Sequence, residues 1–120
     1  MSGYTHITER TRVPGPGDKI IEEIVGRVNT KTSDVSIAHM IAPPHWGEPA
    51  QTPAFAEITI MLRGKMRVDV DGEVVEVRAG EAIRTDPGVR VRYSNPFDEE
   101  SEYWAVCLPA FSIDSVRREG

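Results

Sequence analysis

One cysteine, three histidines and 14 Lys plus Arg against 19 Asp plus Glu leave this 120-residue chain poor in the groups on which several chemistries depend. A lone Cys107 forms no intrachain disulfide, which suits a reducing compartment and gives a cytoplasmic expectation. The net charge of -5, with no block of basic residues, argues against release of counterions from a phosphate backbone, so no nucleic-acid partner is expected. No stretch approaches the roughly 18 apolar residues of a membrane span, and the opening MSGYTHITERTRVPGPGDKI lacks the apolar run of a signal peptide, so no membrane partner is expected either. No Ser-His-Asp order recommends a nucleophile and no glycine-rich phosphate loop occurs; Pro14-Gly15-Pro16-Gly17 reads as a linker-like arm.

What the chain does have is short runs of strand character separated by turn residues. IIEEIV (20–25) ends at Gly26, and VSIAHMIA (35–42) stops at Pro43-Pro44. EITIMLRGKMRVDVDGEVVEV alternates apolar and polar positions around Asp71-Gly72, a dipeptide suited to a primed hairpin turn, so two paired strands are expected there. GEAIR, VRVRY and EYWAVCL supply three more, set apart by Asp86-Pro87-Gly88 and by Asn95-Pro96 with the acidic FDEES loop. In the tail AFSIDSVRREG, Ser112 is placed to cap one helical turn that ends near Arg117 and Arg118. One domain results, with an arm over 1–19, a barrel over 20–111 and a tail over 112–120.

Seven or eight short strands indicate an all-β sandwich or barrel. In VRVRY, Arg90 and Arg92 face solvent, so Val89, Val91 and Tyr93 face inward. In EITIMLR, Glu57, Thr59 and Met61 share one face and Ile58, Ile60 and Leu62 the other; both are largely apolar, which suggests packing against a second sheet or a second subunit.

The spacing from Glu57 to Gly64, followed by Gly80, Gly88 and Asn95, resembles the two sequence motifs of the cupin superfamily. The first motif has two histidines flanking one residue, then three or four residues, a glutamate, six residues and a glycine. The second runs from glycine through a proline and a further glycine to a histidine and an asparagine. Here the two histidine positions of the first motif hold Gln51 and Pro53, and the proline and histidine positions of the second hold Asp86 and Val91. APPHWGEPAQTPAFAE and CLPAFS are similar to small single-domain cupins of the ethanolamine-utilisation-like type. The resemblance implies a double-stranded β-helix, or jelly-roll barrel, a homodimer, and an N-terminal segment (3–25) paired with the neighbouring subunit.

It also implies a site in the barrel mouth, where three histidines and the glutamate suit a divalent first-row ion. Only Glu57 of those four ligands is present, which makes the metal motif degenerate. Two alternatives stay open for the rest. Glu48 and Gln51 join Glu57 as oxygen ligands of a divalent metal ion, or they hydrogen-bond loop backbone, with His45 and Trp46 on a surface lip. Counted back from Pro43 on the cupin pattern, Ile37, His39 and Ile41 point inward, so His39 is either a proton-transfer partner of Glu57 or a core histidine. Glu57 itself is either an acid–base group with a raised pKa or a buried carboxylate hydrogen-bonded to Tyr93 or Thr59. Tyr93, Trp104 and Val106 join Thr59, Met61 and Val91 as pocket walls, while Cys107 takes the parity of an outward residue.

Three functions follow as expectations. The first is an acid–base enzyme of isomerase, epimerase, lyase or cyclase type acting on a small polar metabolite through Glu57 with His39 or Tyr93. The second is a metal-dependent cupin enzyme such as a dioxygenase. The third is a ligand-binding or sensory module without catalysis.

Overall fold

The computed structural model describes residues 3–119, so Met1 and Ser2 of the expected arm and Gly120 of the expected tail lie outside the described residues. Ten strands and one helical turn follow in order: β1 (Thr11–Val13), β2 (Ile20–Val25), β3 (Ser36–Ala42), β4 (Trp46–Gly47), β5 (Ala56–Arg63), β6 (Lys65–Val70), β7 (Glu73–Arg78), β8 (Ala82–Thr85), β9 (Val91–Asn95), β10 (Ser101–Leu108) and α1 (Ile113–Val116). They form a six-stranded sheet in the order β1-β2-β3-β10-β5-β8 and a four-stranded sheet in the order β4-β9-β6-β7. All strand pairings are antiparallel, and the two sheets face each other as the expected jelly roll.

Local chemistry fixes the turns. Asp71 and Gly72 both take positive φ, 50° and 88°, which is the twist a two-residue hairpin needs between β6 and β7. Gly64, at φ 74°, carries the chain from β5 in one sheet to β6 in the other. A Cβ there would sit 2.4 Å from the Glu100 carbonyl oxygen, so only glycine fits. Asn95 is fully buried, and its amide donates to the carbonyls of Ala42 (3.3 Å), Pro43 (3.1 Å) and Glu99 (2.8 Å) while accepting from the Phe97 amide at 3.2 Å. That set of bonds ties the segment after β3 to the β9–β10 connection, and a nonpolar residue there would leave the carbonyls unmet.

The core between the sheets is built from Met61, Met66, Val68, Val77, Val91 and Tyr103, with Trp46 and Tyr93 at its margin. Val91 and Tyr93 face inward as the alternation of VRVRY requires. The inward positions of β3 and β10 differ from expectation. Ser36, Ala38 and Ala42 are the buried residues of β3, and Tyr103, Ala105 and Cys107 are buried on β10. His39, Trp104 and Val106 therefore lie on the outer face, in register with one another: Trp104 pairs His39, and Val106 pairs Ile37.

The arm and tail are part of the barrel. β1 pairs with β2 of its own chain, which offers an edge only a short turn further along, and stands at the edge of the six-stranded sheet. The tail turns at α1, whose cap Ser112 accepts from the Ser115 amide, and Arg117 then leaves the helix in the left-handed region. From there it runs beside 50–54: Ala54 N donates to Ser115 O, Thr52 N to Arg117 O, and Glu119 N to Ala50 O.

Replacing Gly64 with Ala is expected to destabilise the fold by roughly 2 kcal/mol or more, since positive φ and a backbone clash act together. Gly80, also at positive φ but with open space for 4 Å around the position a Cβ would take, should lose only about 1 kcal/mol on the same change. Urea midpoints of the two variants measure the difference.

Candidate functional site

A cavity opens between the sheets at the end away from Asn95. β5 supplies Glu57, β9 Tyr93, and β10 Tyr103, Ala105 and Cys107; the segment after β4 supplies Glu48 and Gln51. The strap before β2 brings Lys19 and the tail brings Arg118. About 70 Å³ is open to the centres of water-sized molecules, room for roughly five waters at ~10–15 Å³ each, and so for a ligand of a few heavy atoms.

Glu57 sits in the middle of the wall. It is flanked in register by Cys107 on β10 and Thr85 on β8, which fixes its side chain toward the cavity. Burial pushes its carboxyl up to about 7, against an opposing pull from the Lys19 ammonium and a further push from Glu48. Neither expected hydrogen bond holds it. The Tyr93 hydroxyl is 3.3 Å from Thr85 Oγ1, and the buried Thr59 hydroxyl has no partner among the described residues. Glu48 is likewise raised by burial, with Lys19, Arg118 and Arg92 opposing. Lys19 is lowered by burial, and Glu48 and Glu57 act against that shift. Its ammonium lies 4.5 Å from the Trp46 ring centroid and 5.3 Å from that of Tyr103, two aromatic faces that hold a cation without neutralising it. Burial also raises both phenols and the Cys107 thiol, so these groups stay protonated at neutral pH.

Two devices hold the cations in place. The Trp46 indole donates to the Pro16 carbonyl at 2.7 Å, which fastens the strap over the barrel. Gln51 and Val91 exchange backbone bonds at 2.8 Å, and Gln51 also bridges Arg118, so the same short segment anchors the tail.

The cavity thus brings together Glu57, Gln51, Glu48 and Tyr93 of the residues expected from sequence. Thr59, Met61 and Val91 are buried in the core and do not line it. His39, Trp104 and Val106 are corrected: they stand outside the barrel. His39 Nε2 is 2.7 Å from Glu102 Oε2, its ring is edge-on to Trp104 at 5.1 Å, and Arg63 reaches the other oxygen of Glu102 at 3.2 Å. The inversion has a physical source. Both faces of β3 and β10 carry apolar side chains, so alternation alone does not orient them, and the barrel interior, crowded by Tyr93 and Tyr103, takes the small residues of β3. The usable signal was Glu102, whose charge fixes Trp104 and Val106, two and four residues on, to the outside. Lys19, Tyr103 and Arg118 were missed; Lys19 and Arg118 come from segments read as arm and tail.

The donor set does not fit a divalent ion. Its donors are two carboxylates and one amide, fewer anionic or imidazole ligands than the family pattern supplies. Glu48, Gln51 and Glu57 share the cavity, yet the Lys19 and Arg118 cations face them and would repel a second positive charge. His45 lies outside, 2.9 Å from Asp98.

The raised carboxyl has a measurable consequence for stability. Below pH about 4.5 it is protonated in both folded and unfolded chains. Between about 4.5 and 7 the folded chain keeps a proton that the unfolded chain has released, so its contribution falls as pH rises, and above 7 the penalty is complete. Glu57→Gln should therefore be more stable than the wild type at pH 8 by an amount on the order of 3 kcal/mol, and equal to it near pH 4.5. Denaturant unfolding of both proteins at the two pH values tests this, and a difference independent of pH would refute the burial of the charge.

Comparison with known proteins agrees with this architecture. The family model described as "Cupin domain" matches residues 38–107. A relative named endoribonuclease YbeY, from Myxococcus xanthus, is 43% identical over 107 residues, which are 89% of this chain and 36% of that protein, so the chain spans about a third of its length. Among solved structures, oxalate decarboxylase of Bacillus subtilis superposes with a TM-score of 0.76 at 17% identity over 96% of this chain and 33% of that one. An RmlC-like cupin from Shewanella frigidimarina gives 0.74 at 14% identity over 92% and 96%. At such identities the structures speak for the fold alone. With the two-sheet barrel, the placement of Glu57, Gly64 and Asn95 and the match over more than half its length, the chain belongs to the cupin family.

Proposed function

We propose that this cupin binds a small polar metabolite in its barrel and moves a proton on it, with Glu57 as the acid–base group, in chemistry of the isomerase, epimerase, lyase or cyclase type. Cupin barrels serve small-molecule binding and metal-dependent chemistry alike, so the fold does not choose. The observation that carries the choice is the Glu57 carboxyl, raised to about 7 on the wall of a small cavity. A group with that pKa is present in both protonation states near neutral pH, which general acid–base catalysis requires. Lys19 stabilises negative charge that develops on the substrate as Glu57 takes its proton. Tyr93, kept protonated by burial, acts as a hydrogen-bond donor, and His39, outside the barrel, takes no part.

The activity named for the Myxococcus protein stays with that protein. A net charge of -5 and a cavity of this size do not suit an RNA backbone. The metal-dependent reading has the family's chemistry in its favour and the mixed charge of this cavity against it. Binding without catalysis is the alternative that the experiment separates. Incubated in D₂O with a panel of small metabolites that carry an acidic C–H, the wild type should exchange that hydrogen for deuterium, and Glu57→Gln should be slower by about 10²–10⁴-fold. No exchange by the wild type would leave a binding module, and equal exchange by both proteins would remove Glu57 from the proton transfer.

The reading includes a homodimer. Ile60 and Leu62 are 39% and 46% exposed on the outer face of β5, and Ile60 pairs directly with Trp104 of β10. Together with Ile58, Val106 and Leu108 they form an apolar stripe on the outside of the six-stranded sheet, suited to a second copy of the same stripe. Light scattering during size exclusion should give twice the chain mass for the wild type and one chain mass for Ile60→Glu; a monomeric wild type ends this part of the reading.

A further inference from the structure

We propose that the ligand of the barrel is a small hydroxy acid, a monocarboxylate with a hydroxyl group that can donate a hydrogen bond. This rests on the reading of the cavity as a small-molecule site and gives that site a substrate class.

Two buried polar atoms on the cavity wall have no hydrogen-bond partner among the described residues: the Tyr103 hydroxyl, in a residue 2% exposed, and Gln51 Oε1, in a residue 4% exposed. Leaving such groups unmet is costly, and they are complementary in kind. Gln51 Oε1 only accepts, so its partner must donate. Tyr103 has a proton to donate, and Lys19, whose Nζ lies 5.3 Å from the centroid of its ring, lines the same cavity, so an acceptor held there has an O–H and a basic side chain within the one small space. An acceptor in that position is favoured as an anion, and a carboxylate offers two oxygens for the two donors.

The charge balance permits it. Lys19 and Arg118 stand on the cavity wall with Glu48 and Glu57, so the wall offers basic side chains to an acid as well as carboxyls. The other acid on the wall, Glu23, already accepts from the Val28 and Asn29 amides at 3.0 and 2.7 Å. Tyr93, Tyr103 and Cys107 add no charge, because burial keeps each protonated. A cavity with about 70 Å³ open to the centres of water-sized molecules suits a ligand of a few heavy atoms.

The test is calorimetric titration of the full chain with glycolate, lactate and 3-hydroxybutyrate, each compared with the hydroxyl-free acids acetate and propionate and with neutral lactamide. At least one hydroxy acid should bind about tenfold or more tightly than its hydroxyl-free and uncharged counterparts. Tyr103→Phe should weaken that ligand about tenfold while leaving the melting temperature unchanged or higher, since the hydroxyl it removes bonds no other described residue. Lys19→Met should weaken the acids and leave lactamide unaffected, and Gln51→Met should abolish the preference for the hydroxyl. Absence of binding by all three hydroxy acids, equal binding of lactamide and lactate, or unchanged affinity in Tyr103→Phe overturns the proposal. Proton transfer by Glu57 is read separately, by the deuterium exchange of Glu57→Gln, so hydroxy-acid binding without exchange refutes only the catalytic reading, and exchange on other metabolites without hydroxy-acid binding refutes only this one.

Discussion

A carboxylate and an ammonium enclosed together in a barrel are the constraint that organises this protein. Glu57 sits on the inner face of β5, and among the described residues the charges that offset its burial come from Lys19 before β2 and Arg118 after α1. The strap is fastened by the Trp46–Pro16 bond and the tail by its backbone pairing with 50–54. Without those attachments the cavity would open to water, the Glu57 carboxyl would return toward its ordinary value, and the cations would leave for solvent. The terminal segments are therefore parts of the site, although they add little to the core.

Most of the fold was legible in the sequence because its signals are local. Asp71-Gly72 demands a primed turn whatever surrounds it, and Arg90 and Arg92 orient β9 because a charge does not enter the barrel core without a partner. The strands from β5 to β10 follow from such markers, and the glycine and asparagine spacing adds the family. β1 and β4 escaped because strands of three and two residues carry no period to detect. They exist only because a sheet edge was waiting for them.

The site was legible in part, and the errors have one origin. Glu57, Gln51 and Tyr93 were placed at the cavity wall because a motif position or a charged neighbour fixed their direction, and Glu48 because its segment runs just before the motif strand. His39, Trp104 and Val106 were placed inside on a family pattern, against the one local marker, Glu102, that shares their side of the sheet. Where both faces of a strand are apolar, period two gives the alternation without its sign. Lys19, Arg118 and Tyr103 were beyond reach for a different reason: the first two reach the cavity through backbone pairings made by segments far apart in sequence, which no local pattern records.

The residues at the histidine positions of the family pattern have structural roles here. Gln51 stands where the motif has its first histidine, and its backbone pairs with both Val91, at the last histidine position, and Arg118. Pro53, at the second, offers its carbonyl to the Gly88 amide at 2.8 Å. Positions that hold a metal in the family pattern here hold the chain, and one of them draws the tail in so that a guanidinium enters the cavity. The positive charge opposite Glu57 is then supplied by Lys19 and Arg118, fixed in place by the fold. Such fixed charges stabilise an anion in the way a bound cation does, and here they are delivered by backbone pairing rather than by ligand side chains.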